Sequence, residues 1–178
     1  MTSFIIKAHE GRTVPKSWQS YPRQSCAFCR ILRGEGPAFK IFENELVVAI
    51  LDIQPLRRGH TLIIPKTHVS RVSELPEEFA AAVGIATTKV SNALAQALDN
   101  TGLNIVCNQE YAQAVPHVHY HIIPAPDFTN PKPQQAAVQD QRTTVFTRKE
   151  MHKAEFESRD DLDDDEAREL ASKIRARL

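Results

Sequence analysis

The sequence predicts an α+β domain: a five-stranded antiparallel sheet with one long helix and an additional C-terminal helix. Three observations predict this class. Two β-rich runs are separated by a short polar turn, which is typical of a hairpin. A long segment with helical spacing of its apolar residues lies before two further β-rich runs, and no internal repeat is present. The 178 residues are enough for one domain with a sizeable core and some extra segments.

The first element expected to have regular structure is a short helix over residues 26–33, ended by Gly34 and Gly36. Residues 1–25 are polar, contain prolines and show no sustained period, so we expect an irregular N-terminal arm. The domain itself is therefore predicted to span residues 26–126.

Three strands are predicted after this helix. AFKIFE (38–43) and ELVVAILD (45–52) are rich in β-branched and apolar residues, and Glu43-Asn44-Glu45 forms the polar turn between them. HTLIIPK (60–66) follows a loop and is the third strand.

The long helix is predicted to begin at Pro76, with Glu77 and Glu78 in its first turn. Its apolar stripe is expected to face the core: Phe79, Val83, Ala86, Val90, Leu94 and Leu98. Asn100-Thr101-Gly102 ends this helix, and LNIVCN (103–108) and HVHYHII (117–123) supply the last two strands.

The C-terminal part, residues 127–178, is predicted to be a loop followed by a helix that packs on the domain or on its partner. Residues 127–141 are rich in Pro, Gln and Asn, which is typical of a loop. The helix begins near Asp163, with acids in its first turn and bases near its end, so these charges complement the helix dipole and require no acidic partner. Its apolar face is Ala167, Leu170, Ala171 and Ile174.

Overall charge excludes some classes of partner. The 22 basic residues balance the 22 acidic ones, so no global basic field favours nucleic-acid or membrane binding. Residues 1–25 hold no apolar run long enough for a signal peptide, and no later segment is long enough to span a bilayer. A cytoplasmic protein is expected, with the nucleus as a second location.

Three of the seven histidines stand at alternate positions: His117, His119 and His121. In a strand they would line one face, about 6.6 Å apart for neighbours and about 13 Å for the outer pair. The outer pair cannot easily bind one ion at that distance, so a single three-histidine metal site is unfavourable and the three side chains are expected to have different roles.

The three cysteines do not resemble a secreted disulfide framework. Cys26 and Cys29 form a Cys-x-x-Cys pattern, which suits a metal or redox motif better. Cys107 lies in an apolar run and is expected to be a buried thiol.

Together these motifs resemble the histidine triad (HIT) superfamily, over about Cys26 to Pro124. HVHYHII is the signature stretch, supported in order by CAFC, LDIQP, GHTLIIPKTH and Asn108. The chain is most similar to the branch of histidine triad nucleotide-binding proteins. This resemblance implies a HIT-like fold, pairing as a homodimer, binding of purine nucleoside monophosphates, and hydrolysis of nucleotide phosphoramidates or adenylyl conjugates.

The resemblance also implies catalytic roles. His119 would be the nucleophile that forms a nucleotidyl-histidine intermediate, with its other ring nitrogen donating to a main-chain carbonyl. His121 would contact the α-phosphate and the leaving group, and His60 matches a family position close to the triad.

By the same resemblance, eight residues would contact the nucleotide. They are Asp52 and Ile53 at the ribose, Phe28, Ile31 and Ile50 around the base, Asn108 near the phosphate, and Gln113 and Ala114 in the loop before the triad. A carboxylate can accept hydrogen bonds from both ribose hydroxyls, which suits Asp52; a strand-end turn residue is the alternative.

One departure from the family lies in that loop. Many relatives carry Gly-Gln-Ser or Gly-Gln-Thr, with a hydroxyl at the phosphate, where this chain has Ala112, Gln113 and Ala114. Ala114 cannot donate that hydrogen bond, worth roughly 0.5–1.5 kcal/mol when neutral, so slower catalysis or a different leaving group is expected. Backbone amides of the loop remain available to phosphate.

In zinc-bearing relatives the ligands match Cys26, Cys29, His68 and His117. Such a closed four-ligand Zn²⁺ site is structural and ties the N-terminal helix to the sheet. The alternative is two buried cysteines beside an ordinary His68.

Two other functions compete with nucleotide phosphoramidate hydrolysis. Dinucleoside polyphosphate hydrolases usually follow the triad with a proline and an arginine, whereas here Ala125 follows Pro124. The other is a nucleotide-binding regulatory protein with vestigial turnover, which Ala114 keeps open. DNA deadenylation would need a nucleic-acid-binding module, and none is recognisable.

Overall fold

The computed structural model describes residues 23–110, 112–126 and 161–178. Most of the predicted N-terminal arm and the predicted loop of residues 127–141 lie outside these ranges.

The described residues form one five-stranded sheet and three α-helices. The helices are α1 (Ala27–Leu32), α2 (Glu77–Leu98) and α3 (Asp164–Arg175), and the strands are β1 (Lys40–Glu43), β2 (Val47–Leu51), β3 (Thr61–Pro65), β4 (Leu103–Cys107) and β5 (Tyr120–Pro124). The strand order is β1-β2-β3-β5-β4, and every neighbouring pair is antiparallel. The predicted α+β class, with its antiparallel sheet, long helix and C-terminal helix, is confirmed.

Other elements pack on both faces of the sheet around its central strands. Successive side chains of β2 point alternately to the two faces. Val47, Ala49 and Leu51 pack with α2 and α3. Val48 and Ile50 pack with the Cys-x-x-Cys helix α1 on the opposite face. Because both faces of β2 are buried, its five residues are all apolar and do not alternate with polar ones.

Turn chemistry sets the ends of these elements. The Asn44 side-chain oxygen accepts hydrogen bonds from the backbone N–H of Leu46 (2.9 Å) and Val47 (2.7 Å), which closes the β1–β2 turn. Gly34 follows α1 with φ +77°, a left-handed conformation that glycine adopts without strain.

Helix α2 begins after Pro76 and is followed by its C-cap residue Asp99, which is left-handed with φ 52°. The predicted core stripe is confirmed at four buried positions: Val83, Ala86, Val90 and Leu94. Phe79 and Leu98 are only half-buried. None of the described helices combines the length and apolar character that a membrane crossing requires.

Helix α3 packs on α2 and β1 of this same chain. Asp163 is its N-cap, and its carboxylate accepts hydrogen bonds from the N–H of Asp165 and Glu166, both at 3.0 Å. The segment entering α3 is also joined to the β2–β3 loop, because Leu162 N–H donates to the Ile53 carbonyl at 2.9 Å. The C-terminal segment therefore supports the loop that carries Asp52 and His60.

The expectation that all three alternate histidines lie in a strand is wrong. Strand β5 begins at Tyr120, so only His121 belongs to it. Pairing with β3 stops at Tyr120, and the preceding backbone bonds elsewhere: Val118 N–H donates to the Val69 carbonyl at 2.8 Å. His117 and His119 thus lie on the extension that leads into the strand.

Candidate functional site

His119 is held in one tautomer by a hydrogen bond to a nearby backbone carbonyl. Its Nδ1 lies 2.7 Å from the His117 carbonyl oxygen. A carbonyl oxygen only accepts hydrogen bonds, so Nδ1 carries the proton and Nε2 keeps its lone pair. The ring is 4% exposed, and burial lowers the pKa of His119. These conditions suit a nucleophilic imidazole.

His60 and His121 form the second half of the site. His60 Nε2 lies 3.0 Å from His121 Nδ1, and Leu56 N–H donates to His60 Nδ1 at 3.1 Å. In neutral His60 that donation leaves the proton on Nε2, which then donates to His121 Nδ1. The proton of His121 is consequently on Nε2, where it is available as a donor.

Asp52 extends this chain of groups. Its Oδ2 lies 3.4 Å from His60 Nδ1, and its Oδ1 accepts the Gln54 N–H at 3.0 Å. One ligand atom from each of Asp52, His60 and His121 lies within 4.8 Å of the others, a spacing that a cation could use. However, Asp52 and His121 lie at opposite ring nitrogens of His60, and His60 Nδ1 already accepts the Leu56 N–H. Asp52 is therefore an electrostatic neighbour of His60 rather than a hydrogen-bond partner or part of a chelate.

A second cluster has the geometry of a four-ligand metal centre. His117 Nδ1 lies 3.5 Å from Cys26 Sγ, 3.6 Å from Cys29 Sγ and 3.3 Å from His68 Nδ1. Cys29 Sγ and His68 Nδ1 are 3.3 Å apart. Zn–N and Zn–S bonds of about 2.0–2.3 Å place tetrahedral ligand atoms roughly 3.3–3.8 Å apart. The donor set and its spacing therefore fit Zn²⁺.

The chemistry of the donors also fits a metal. His117 Nε2 donates to the Pro65 carbonyl at 2.8 Å, which directs the Nδ1 lone pair at the thiols. Burial lowers the pKa of His117 to about 4, so it is a neutral ligand at pH 7. Burial, together with the neighbouring Cys26, raises the pKa of Cys29 to about 11. Cation binding at this thiol would therefore release a proton.

Phe28 connects the two clusters. It lies in α1 between the two cysteines, and its ring centroid is 5.8 Å from that of His117 and 5.0 Å from that of His119, edge-on in both cases. A centre that holds α1 against the sheet therefore also holds an aromatic ring against His119.

The residues predicted to surround a nucleotide fall into two groups. Phe28, Ile31 and Ile50 pack together in the α1-side cluster. Ile53 is 63% exposed beside half-buried Asp52.

The remaining candidates follow β4. Asn108 is half-buried directly after that strand, and Ala114 is exposed. Gln113 is only 3% exposed and makes its hydrogen bonds inside the protein. The backbone of this loop is left-handed at Glu110 (φ 61°) and at Ala112 (φ 56°).

Sequence reasoning missed the groups that hold this loop. Arg71 pairs with Glu110, with Nε 2.5 Å from Oε1, and Ser70 donates to the Pro116 carbonyl at 3.1 Å. It also missed the N–H of Leu56 that sets the His60 tautomer. The only available signal was the position of Ser70 and Arg71 two and three residues after the PKTH segment (65–68).

Known proteins are similar to this chain in sequence and in fold. An adenylylsulfatase of Arabidopsis thaliana is 39% identical over 104 residues, covering 57% of this chain and 53% of that protein, so the chain matches only about half of this relative. An adenosine 5′-monophosphoramidase of Candida albicans is 37% identical over 109 residues, covering 58% of this chain and 72% of that protein. A solved structure of a Zn-bound histidine triad family protein from Mycobacterium smegmatis has a TM-score of 0.62 at 30% identity, covering 87% of this chain and 94% of that one.

The sequence profile of the HIT domain family matches residues 33–127, more than half of the chain. The match includes the whole sheet, α2 and the three alternate histidines. The chain therefore belongs to the HIT domain family, among its histidine triad nucleotide-binding proteins.

Proposed function

We propose that this protein is a nucleotide hydrolase of the HIT type that cleaves purine nucleoside phosphoramidates or adenylyl conjugates through a nucleotidyl-histidine intermediate. The observation that carries the proposal is the bond from His119 Nδ1 to the His117 carbonyl, which leaves Nε2 unprotonated. The names of the Arabidopsis and Candida relatives support this substrate class.

The reaction follows from the tautomers of two histidines. The lone pair of His119 Nε2 attacks the α-phosphorus, and the bond from phosphorus to the leaving group breaks. The Nε2–H of His121 donates a hydrogen bond to the departing nitrogen or oxygen, which takes up a proton from water. A second water molecule then attacks phosphorus and gives up a proton to solvent, the P–Nε2 bond breaks, and the nucleoside monophosphate leaves with His119 Nε2 unprotonated again.

His60 and Asp52 support this hydrogen bond. His60 donates to His121 Nδ1 and so keeps the proton of His121 on the outer nitrogen. The Asp52 carboxylate, 3.4 Å from His60 Nδ1, adds an electrostatic contact that helps to position the His60 ring. Asp52 has a second proposed role as acceptor for the ribose hydroxyls.

The proposed nucleotide pocket uses the remaining candidates. Phe28, Ile31 and Ile50 supply apolar surface for the base, with Ile53 beside the ribose. Asn108 and the backbone amides of the loop around Ala114 are proposed to bind phosphate.

Cys26, Cys29, His68 and His117 are proposed to hold a structural Zn²⁺, which stabilises the fold and takes no part in the reaction. Their spacing and the Zn-bound relative support this assignment. The residues themselves join α1 to the β3 side of the sheet and hold His117, whose carbonyl orients His119.

A cytoplasmic homodimer is also part of the proposal. Strand β4 is at the edge of the sheet and leaves Ile105 47% exposed, so a second copy could extend the sheet there.

The decisive experiment measures hydrolysis of adenosine 5′-phosphoramidate by the wild-type protein and by His119→Ala. Loss of turnover with retained AMP binding supports the mechanism, because the variant removes the nucleophile and leaves the pocket. Diadenosine tetraphosphate is tested in parallel, and preferential cleavage of it would favour the dinucleoside polyphosphate hydrolase alternative. Normal turnover by His119→Ala would refute the mechanism, and AMP binding without any turnover would favour a regulatory protein.

A further inference from the structure

The side-chain amide of Gln113 makes three hydrogen bonds to backbone groups. Its Oε1 accepts the Glu110 N–H at 2.7 Å, and its Nε2 donates to the Ser70 carbonyl at 2.9 Å and, more weakly, to the His117 carbonyl at 3.4 Å. Only one orientation of the amide matches these partners, because a flipped amide would place its oxygen against two carbonyls. The position therefore requires one acceptor and two donors, a set that glutamine supplies and glutamate lacks.

One of these partners is the carbonyl that orients the nucleophile. The His117 oxygen accepts both the Nδ1–H of His119, at 2.7 Å, and the Nε2–H of Gln113. A peptide carbonyl has two lone pairs, so it can accept both donors at once. The direction of the His119 ring thus depends on a carbonyl that Gln113 helps to hold.

The other partner of Nε2, the Ser70 carbonyl, belongs to a backbone segment that is hydrogen-bonded to the residues around the start of the histidine triad. Ser70 donates its hydroxyl to the Pro116 carbonyl, and Val118 N–H donates to the Val69 carbonyl at 2.8 Å. Gln113 lies between these two backbone segments and hydrogen-bonds to both of them. Moving Gln113 would therefore shift the chain that carries His117 and His119.

We propose that Gln113 is a positioning residue, which acts on the nucleophile through the His117 carbonyl rather than by contact with the nucleotide. Its side chain is 3% exposed, and its amide is directed at backbone partners. A phosphate could reach this amide only by displacing bonds that hold the loop. The inference rests on the proposed function in one respect, that His119 is the nucleophile.

Gln113→Glu and Gln109→Glu form a matched pair for the test. Gln109 is exposed and uses its side-chain oxygen to accept the Ser73 N–H at 3.1 Å, a bond that glutamate keeps. Gln113→Glu has the same shape but replaces two donors with an acceptor facing two carbonyls. Gln113→Met removes the hydrogen bonds without adding charge, so it provides the test if Gln113→Glu fails to fold.

We expect both Gln113 variants to lower kcat by about 10- to 100-fold, the scale of a misplaced reacting group, with KM and the Kd for AMP within about 3-fold of wild type. Gln109→Glu should match wild type. The ¹⁵N resonances of the ligand-free protein should show His119 protonated at Nδ1 in wild type and as a mixture of tautomers in Gln113→Met.

Two results would overturn the inference. One is an unchanged kcat and an unchanged His119 tautomer in Gln113→Met. The other is a raised KM and Kd with normal kcat, which would make Gln113 a direct nucleotide contact. If the wild-type protein turns nothing over, the proposed function fails, and the ¹⁵N spectra alone decide the role of Gln113.

Discussion

His117 and His119 are joined by one hydrogen bond, yet their side chains serve different centres. The His117 carbonyl accepts Nδ1–H of His119 at 2.7 Å, while the His117 ring lies 3.5 Å from Cys26 Sγ. The backbone of one residue thus orients the candidate nucleophile, and its side chain belongs to the candidate metal centre. Any disturbance of the metal centre is expected to reach His119 through this residue.

The metal centre leads to the first prediction. Cys29→Ser should lose bound zinc, because serine is a poor ligand for this cation, and should lower the free energy of unfolding in zinc-containing buffer by about 2–4 kcal/mol. Metal analysis after purification without chelator and denaturant titration check both effects.

Cys107→Ser is the matched control for that prediction. Cys107 lies at the end of β4, outside the metal cluster. It is half-buried rather than buried as predicted, because β4 is an edge strand of the sheet, and this partial burial raises its pKa. This variant should keep about one zinc per chain. Equal zinc content in wild type and Cys29→Ser would contradict the assignment of the centre.

The pH dependence of turnover is the second prediction. Burial lowers the pKa of His119, so Nε2 should stay unprotonated to below the ordinary histidine range of about 6.5. As the pH falls through this lowered pKa, the ring gains a proton and loses its nucleophilic lone pair. The acid limb of kcat/KM should therefore lie below about pH 6.5.

The bound metal should alter this limb little, because Zn²⁺ with two thiolates carries no net charge. The profile is measured together with metal content at each pH, since protons compete for the same ligands. An acid limb at or above about pH 7 would show that burial does not control this histidine.

The residue spacing predicted part of the site, and backbone geometry determined the rest. Alternate histidines implied different roles for His117 and His119, which the geometry supports. The predicted spacing of about 6.6 Å is that of the backbone along a strand, whereas the side-chain ring centroids of His119 and His121 lie 4.9 Å apart. Strand β5 begins only at Tyr120. The point at which β5 stops pairing with β3 depends on long-range backbone hydrogen bonds. Such bonds leave no periodic signal in the sequence.

The same reason explains the contacts that sequence reasoning missed. The N–H of Leu56 and the carbonyl of Ser70 act through the main chain, which every residue possesses. Residue type therefore gave no indication of either role. The resemblance did match Cys26, Cys29, His68 and His117 to ligands, and the fold brings these four side chains together.

Alanine substitutions at two glycines provide a third prediction: one should destabilise the fold and the other should stabilise it. Gly59, beside His60, has φ +87°, and an added Cβ would lie 2.7 Å from Leu98 Cδ1. Gly59→Ala should therefore destabilise the fold by about 1–3 kcal/mol, from backbone strain and overpacking. Gly84 lies in α2, and among the described residues no atom beyond its chain neighbours and its own helix backbone lies within 4 Å of an added Cβ. Gly84→Ala should therefore stabilise the fold by up to about 1 kcal/mol.

Denaturant unfolding of both glycine variants at one protein concentration tests this pair. Gly59→Ala should also reduce turnover, because it displaces the residue next to His60. A stable, fully active Gly59→Ala would show that the loop does not depend on the left-handed conformation.

The exposed Ala114 leads to the last prediction. Restoring a hydroxyl with Ala114→Ser or Ala114→Thr should add one donor to a phosphate held by this loop, since the side chain is exposed and free of crowding by the core. A neutral hydrogen bond of about 0.5–1.5 kcal/mol in the transition state corresponds to roughly a 2- to 10-fold higher kcat/KM. Ala114→Val has nearly the shape of the threonine variant but no hydroxyl, so it should give no gain. Steady-state kinetics on adenosine 5′-phosphoramidate measure all three variants, and an equal gain from valine would assign the effect to shape rather than to hydrogen bonding.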